Sequence, residues 1–382
     1  MVRFGDVVKQ VKVRVDPDTA GLDRYVAGEH MSTDDLRIRR WGEVGDGYLG
    51  PAFNMKVQPG QVLYGSRRTY LRKVAVPDFE GICANTTFVV ESSSPDLLQE
   101  FLPYAMTTET FHEHSIKQSK GSVNPYINFT DLKWYEFALP PIDEQERIVQ
   151  LLSEIRRSVE MWEVVAFTLQ TQRAAFANEV VEAGLATGAL TKVVDLVASD
   201  RPVTYGILKP GTGHPDGIPV IKVKDYPNGH VVNEGLLLTS PEIESGFKRS
   251  RLRAGDLLIS IRGTVGRIAE VPEQLEGANI TQDTARLSIG EQHDKVFIRH
   301  MLESPFVQRQ IQSRVTGLAV KGLNIGELRK IEITTPHLEV QRQLANRFDV
   351  IEDTQNRVAA HLQYGRVLAR ATLERCLEGR EL

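Results

Sequence analysis

The chain has 382 residues, 41% hydrophobic and 25% charged, which excludes a disordered or fibrous chain and leaves room for two or more cores. Only Cys83 and Cys376 are present, without a CxxC pair, and no apolar run approaches the roughly 18 residues of a membrane span, so neither a disulfide framework, a zinc site nor a membrane anchor is expected. The net charge of −4 excludes a strongly basic nucleic-acid binder, so any DNA contact must rest on local clusters or on basic partners.

In chain order, the first half opens with short strand-like runs punctuated by glycine and proline, among them GQVLYGSRRTYLRKVAVP at 60–77. A helical stretch is expected at about 96–118, then a short β segment, FALPP. A long helix follows from Pro140–Pro141, because proline suits a first turn but cannot donate a hydrogen bond. Asp143, Glu144 and Glu146 fill that first turn, where the helix dipole favours acids. The second half has the same plan. Strands are expected in GIPVIKVKD at 217–225 and AGDLLISIRG at 254–263, a helix at about 294–315, then ITTPH and a second long helix beginning at Pro336. The N-terminus, MVRFGDVVKQ, lacks the pattern of a secretion signal, so the expected compartment is the cytoplasm.

The two halves are copies. GQVLYGSRRTYLRKVAVP aligns with GDLLISIRGTVGRIAEVP at 255–272, an offset of 195 that matches Gly60, Arg67, Thr69, Arg72, Val76 and Pro77 with Gly255, Arg262, Thr264, Arg267, Val271 and Pro272. At an offset of 196, Asn128, Leu132, Pro140 and Gln145 match Asn324, Leu328, Pro336 and Gln341. A nearly constant offset over two separated blocks marks a duplication.

Each copy ends in a helix with an apolar seam. Ile148, Leu152, Ile155, Val159, Trp162, Ala166 and Leu169 step alternately by four and three, and Phe176 and Val180 continue the register. Leu344, Phe348, Ile351, Val358 and Leu362 repeat it in the second helix, with Gln355 interrupting. This 3.5-residue period is that of a coiled-coil seam. A single such helix would be read as one member of a bundle. Two of them, each closing a repeated globular unit, point to a pair packed together.

This layout resembles the specificity subunits of Type I restriction–modification systems over essentially the whole chain. The resemblance is carried by GSVNPYINFTDLKWYEFALPPIDEQERIV at 121–149, by GLAVKGLNIGELRKIEITTPHLEVQRQLA at 317–345, and by GDLLISIRGTVGRIAEVPEQLEGANITQDTARL at 255–287. ALPPIDEQ is its most specific part. The second copy departs from it, with His337 for the second proline and Val340 for the acid before Gln341. The resemblance implies an α+β (mixed α/β) fold with a pseudo-twofold repeat: target-recognition domains at 1–141 and 184–336, separated by antiparallel coiled-coil helices at 142–183 and 337–382. It implies partners as well: double-stranded DNA, two methyltransferase subunits that methylate adenine with S-adenosylmethionine, and motor-nuclease subunits that use ATP and Mg. No cofactor is expected on this chain itself, and the expected target is an asymmetric bipartite sequence.

DNA contact needs cations for phosphates and planar donors or amides for base edges. The candidates are Arg67, Arg68, Thr69, Tyr70 and Arg72 in the first copy and Arg262, Thr264 and Arg267 in the second. Gly263 and Gly266 would let backbone approach a phosphate. Further cationic clusters are Arg37, Arg39 and Arg40, and Lys248, Arg249, Arg251 and Arg253. Lys222 and Lys224 alternate on an expected strand and so would share one face. Each cluster alone is more simply a solvated face; the matched Arg67 and Arg262 are the exception. On the long helices, Arg147, Arg156, Arg157, Arg342, Arg347 and Arg357 are read first as solvated, with contact to DNA or partner helices as the alternative.

Catalytic chemistry is missing. Asn124-Pro125-Tyr126 lacks the second proline of an adenine-methyltransferase loop and reads as structural. There is no phosphate loop for ATP. Asp216 with Lys222 and Lys224 lacks the second acid of a nuclease core. His112 and His114 on one helix point apart and read as a solvated surface rather than a metal site. The reading is therefore a non-catalytic DNA-recognition and scaffolding subunit. Its rival is a coiled-coil adaptor with duplicated protein-binding domains and no DNA role.

Overall fold

The computed structural model describes residues 1–47, 49–317 and 321–377; the 318–320 part of the second repeat passage and the expected helical residues 378–382 lie outside the described residues. The chain divides into two compact units, Met1–Trp162 with His361–Leu382, and Glu163–Ala360.

Unit 1 contains the strands β1 (Val2–Arg3), β2 (Val8–Val11), β3 (Arg24–Val26), β4 (Gly42–Glu43), β5 (Phe53–Val57), β6 (Val62–Gly65), β7 (Val74–Ala75), β8 (Gly81–Ala84), β9 (Thr87–Ser92) and β10 (Glu136–Phe137). One sheet runs β2-β9-β6-β7 with antiparallel neighbours. The other runs β4-β3-β8-β5, in which β3 and β8 are parallel. Along β6, Val62 and Tyr64 enter one core cluster while Leu63 enters another, the period-two alternation of a strand buried on both faces. Short helices α1 (Phe4–Val7), α2 (Leu102–Ala105), α3 (Glu109–Lys117) and α4 (Phe129–Leu132) precede the 46-residue α5 (Ile142–Thr187).

Unit 2 rebuilds this plan with β11 (Leu190–Lys192), β12 (Thr204–Tyr205), β13 (Ile218–Ile221), β14 (Leu237–Thr239), β15 (Leu257–Ser260), β16 (Ile268–Glu270), β17 (Asn279–Ile280), β18 (Thr284–Leu287) and β19 (Glu332–Thr334). The β12-β18-β15-β16 sheet is antiparallel, and β14-β13-β17 keeps the one parallel pair, β13 with β17. Leu257 and Ile259 face one core cluster and Leu258 the other, as in β6. Helices α6 (Val193–Leu196), α7 (Pro241–Ser245), α8 (Lys295–Glu303), α9 (Pro305–Ser313) and α10 (Ile325–Arg329) lead to the 40-residue α11 (Leu338–Leu377).

The matched glutamines explain why both long helices start where they do. Gln145 is fully buried; its amide donates to the carbonyls of Asp96 and Pro140 at 2.7 and 2.8 Å, and its oxygen accepts from Leu98 N at 2.9 Å. Gln341 donates to Pro336 O at 2.7 Å and accepts from Asp294 N at 2.9 Å. Each amide thus satisfies backbone groups that burial would otherwise leave unpaired.

The apolar seam faces inward in both units. In unit 1, Ile148 and Leu152 are buried with Leu373 and Cys376, Ile155 packs on that cluster, and half-buried Trp162 stacks on His361. In unit 2, Phe176 meets Phe348 at 4.6 Å, Ala345 joins the same core, and Leu344 and Ile351 pack against it. Positions advance on α5 as they recede on α11 in each unit, so the helices pair antiparallel. Val358 is buried, while Val159, Leu169 and Leu362 are half-buried.

Three local expectations are corrected. The stretches at 96–118 and 294–315 are each broken into two helices. Thr108 caps α3 through Phe111 N, and Ser304, followed by Pro305, caps α9 through Val307 N. GIPVIKVKD leaves the strand at Ile221: the Asp225 carboxylate accepts from Lys222 N at 2.8 Å and closes a 3₁₀ turn at Val223–Asp225, so Lys222 and Lys224 do not alternate on a strand. His112 is not solvated but fully buried on the inner face of α3, beside Phe111 and Ser115.

Candidate nucleic-acid interface

In each unit the central hairpin ends in a loop clamped to a second loop. In unit 1 the β6–β7 tip (66–72) meets 120–127; in unit 2 the β15–β16 tip (261–266) meets 321–323. Arg68 N donates to Pro125 O at 2.6 Å and Ile127 N to Ser66 O at 2.9 Å. Gly263 N donates to Lys321 O at 3.2 Å and Leu323 N to Ile261 O at 2.8 Å. Lys120 pairs with Tyr126 as Thr316 pairs with Gly322, and the backbone of Arg67 bridges Tyr126 as that of Arg262 bridges Gly322. The frame is repeated hydrogen bond for hydrogen bond, while the side chains it carries differ.

The first tip is one residue longer. Gly65 N donates to Lys73 O, whereas Ser260 N donates to Arg267 O, and Leu63 faces Ala75 as Leu258 faces Ala269. Lys73, not Arg72, is therefore the counterpart of Arg267, and the sequence match of Arg72, Val76 and Pro77 with Arg267, Val271 and Pro272 slips by one. The corrected pair has one job. Lys73 Nζ donates to Gly28 O, and Arg267 Nη1 donates to Val223 O at 3.0 Å, each tying the hairpin to a 3₁₀ turn.

Arg72 makes a bidentate pair with Glu109 at 2.5 and 2.8 Å, and that carboxylate also receives Arg370. The Arg72 guanidinium holds the Glu109 carboxyl below its usual range. Thr69 is buried, its hydroxyl 2.7 Å from that of Ser119. Arg67 and Tyr70 are exposed, and the Arg67 side chain makes no hydrogen bond or ion pair among the described residues. Arg262 is exposed, with Asp283 at 3.9 Å, and Thr264 is exposed beside it.

The other clusters are more committed. Arg37 pairs with Glu160 at 3.0 Å, Arg39 with Asp35 at 2.8 Å, and Arg40 donates to Glu29 O. Arg39 and Arg40 still line an open cleft of about 500 Å³ with Glu29, His30 and Trp41. In unit 2, Arg251 is bidentate to Glu244, while Lys248, Arg249 and Arg253 are exposed. Lys222 is half-buried and Lys224 exposed. On the long helices, Arg147, Arg156, Arg157 and Arg342 pair with neighbouring acids, Arg347 lies over the Phe176 ring at 4.2 Å, and Arg357 is exposed.

Among the described residues His300, Asp349 and Glu352 form a cluster with metal-like spacing, but arginines already occupy it. Arg299 is bidentate to Glu352, Arg173 donates to His300 and Glu303, and His300 Nε2 lies 3.1 Å from Asp349. Two guanidiniums beside these ligands make it an ion-pair lattice between α8, α5 and α11, not a cation site.

The model of the Type I restriction modification DNA specificity domain matches residues 42–162 and 212–363. The chain belongs to this family. It is 32% identical over 156 residues to the Escherichia coli EcoBI specificity subunit, 41% of this chain and 33% of that protein. It is 20% identical over 388 aligned residues to the MjaVIII specificity subunit of Methanocaldococcus jannaschii, 92% of this chain and 86% of that one. The chain thus spans about a third of the EcoBI subunit but most of the archaeal one. Among solved structures, a chain from a study of complex assembly and conformational transition of the Type I R-M system shares the fold with a TM-score of 0.61 at 19% identity, covering 98% of this chain and 96% of that one. The S subunit of M. genitalium does so at 0.56 and 14%, covering 98% and 95%. Membership of a specificity family identifies the polypeptide as a non-catalytic specificity subunit. No helix among the described residues is long and apolar enough to cross a membrane.

Sequence reasoning missed Asn124, taken as part of a structural turn, and the part Arg68 plays beside it. The available signal was Gly263 standing opposite Arg68.

Proposed function

We propose that this specificity subunit reads an asymmetric bipartite sequence in double-stranded DNA, one half through each unit. Its recognition parts are 1–141 and 184–336. The helices at 142–183 and 337–382 dock two methyltransferase subunits and, for cleavage, motor-nuclease subunits. The observation that carries this reading is the clamped tip, held by the same backbone bonds in both units and dressed with different side chains. A repeated frame positions equivalent chemistry on two half-sites, and the differing residues make the half-sites differ.

Arg67 and Arg262 are the phosphate contacts in this reading, being exposed cations at equivalent frame positions. Arg72, Arg267 and Thr69 hold the tips in shape, and Tyr70, Thr264, Lys248, Arg249 and the Arg37–Arg40 segment flank them. Exposed Met161, Phe167, Tyr364 and Val367 on the long helices suit partner subunits. Catalysis and its S-adenosylmethionine, ATP and Mg belong to those partners, which also supply the positive charge this acidic chain lacks. Mapping adenine methylation in the host with and without this gene tests the reading. One split motif should vanish with the gene, and an unchanged map in a cell with an intact methyltransferase partner would reject it in favour of a protein-binding adaptor.

A further inference from the structure

Arg68 has φ +50° and ψ 55°, a left-handed conformation that L side chains disfavour. Gly263 holds the equivalent place in unit 2 at φ +71°, and glycine is the residue this backbone asks for. A non-glycine kept there calls for a reason in its side chain.

That side chain is buttressed. Arg68 Nε donates to Asn124 Oδ1 at 2.9 Å, while its own backbone N–H clamps Pro125 of the same loop. The bond through Nε fixes the guanidinium plane and leaves the terminal edge, Nη1 and Nη2, without a hydrogen bond or ion pair among the described residues. Both residues are exposed. The Asn124 oxygen keeps a second lone pair, whereas the guanidinium it orients has donors only. The free edge of Arg68 therefore presents donors and no acceptor, in a fixed plane. A guanine in the major groove presents two adjacent acceptors, O6 and N7, and no other base pair offers that pair; an adenine edge needs an acceptor as well as a donor. Phosphate contact needs no such orientation, and Arg67 next to it is free to supply one.

We propose that Arg68, oriented by Asn124, reads a guanine in the half-site of unit 1, and that unit 2 lacks this contact because Gly263 has no side chain. The inference rests on the DNA-reading function proposed above. It goes beyond that function in naming the base and the residues that select it.

The test is the methylation map of cells carrying Arg68→Gly, the residue unit 2 tolerates at this backbone position. One guanine of the motif should relax to any base while the remaining positions persist. Relaxation at a base pair other than guanine–cytosine, or an unchanged motif, overturns the proposal. Should the variant methylate nothing, the wild-type chain with its methyltransferase partners decides. On duplexes with 7-deazaguanine replacing each guanine in turn, binding should fall roughly tenfold at one guanine, and inosine, which keeps O6 and N7, should restore it at that position. Equal binding to every duplex overturns the assignment. A map left unchanged by deleting the gene is a different result: it removes the DNA-reading function itself.

Discussion

Trp162 lies flat on His361, ring centroids 4.7 Å apart and planes 4° from parallel. The contact joins α5 to α11 within unit 1, where the seam leaves the buried cluster of Ile148 and Leu152. Aromatic pairs contribute about 0.5–1.5 kcal/mol beyond the area they bury. Trp162→Ala should lower the stability of unit 1 by about 2 kcal/mol once lost packing is added, and His361→Phe should retain most of it. Urea unfolding followed by hydrogen exchange on α5 and α11 resolves the two variants; equal stability of Trp162→Ala and wild type would deny the stack any role.

The lattice in unit 2 is the charged counterpart of that apolar contact. Arg299 is largely buried, and desolvation opposes its charge while Glu352 and its neighbours maintain it. Removing one member strands the rest, so Arg299→Ala should cost about 3–5 kcal/mol. The double variant Arg299→Met with Glu352→Leu should recover most of that loss, because an apolar pair needs no counter-ion. A double-mutant cycle by denaturant unfolding checks this; additive losses would mean that the two charges do not interact.

Acid should destabilise the chain in a definite window. Burial pushes the His112 imidazole down from its ordinary value to about 4, and neither ring nitrogen has a hydrogen-bond partner. The unfolded chain takes up this proton near pH 6.5 while the folded one refuses it. Stability is therefore whole above about pH 6.5 and falls as pH drops towards about 4, by at most about 1.4 kcal/mol per pH unit for this group. Burial lowers His300 in the same direction. His112→Leu should flatten the slope between pH 6.5 and 4 without abolishing it. An unchanged slope would place the proton uptake elsewhere.

Phosphate and base contacts separate by salt. Arg67→Ala and Arg262→Ala should each weaken DNA binding by the full complex similarly on all sequences and reduce the slope of log affinity against log salt by about one. Arg267→Ala, which loses only its bond to Val223, should leave that slope alone. A salt slope unaltered in Arg67→Ala would remove Arg67 from the phosphate contacts.

Much of this fold could be read before folding. The prolines at 140–141 and 336, the heptad from Ile148 and the matched Gln145 and Gln341 are local signals, and each keeps its meaning in three dimensions. The hairpin tip could not be read so simply. The chance match of AVP with EVP hides a one-residue difference that only strand pairing reveals, so Arg72 looked like the sister of Arg267. Lys222 and Lys224 followed a strand pattern that Asp225 ends by capping a 3₁₀ turn. His112 looked solvated because the charged Glu113 beside it says nothing about which helix face turns inward. Arg68 was visible as a cation, yet its left-handed backbone and its bond to Asn124 arise from a loop more than fifty residues away.

The central claim is that two copies of one frame read two stretches of DNA independently. It is tested most directly by replacing 1–141 with a second copy of 190–336 and mapping adenine methylation in cells carrying the altered chain with its own partners. The half-site of unit 2 should appear twice, as an inverted repeat about the gap, and the half-site of unit 1 should disappear. A methylated motif that still contains the original unit 1 half-site would contradict the account.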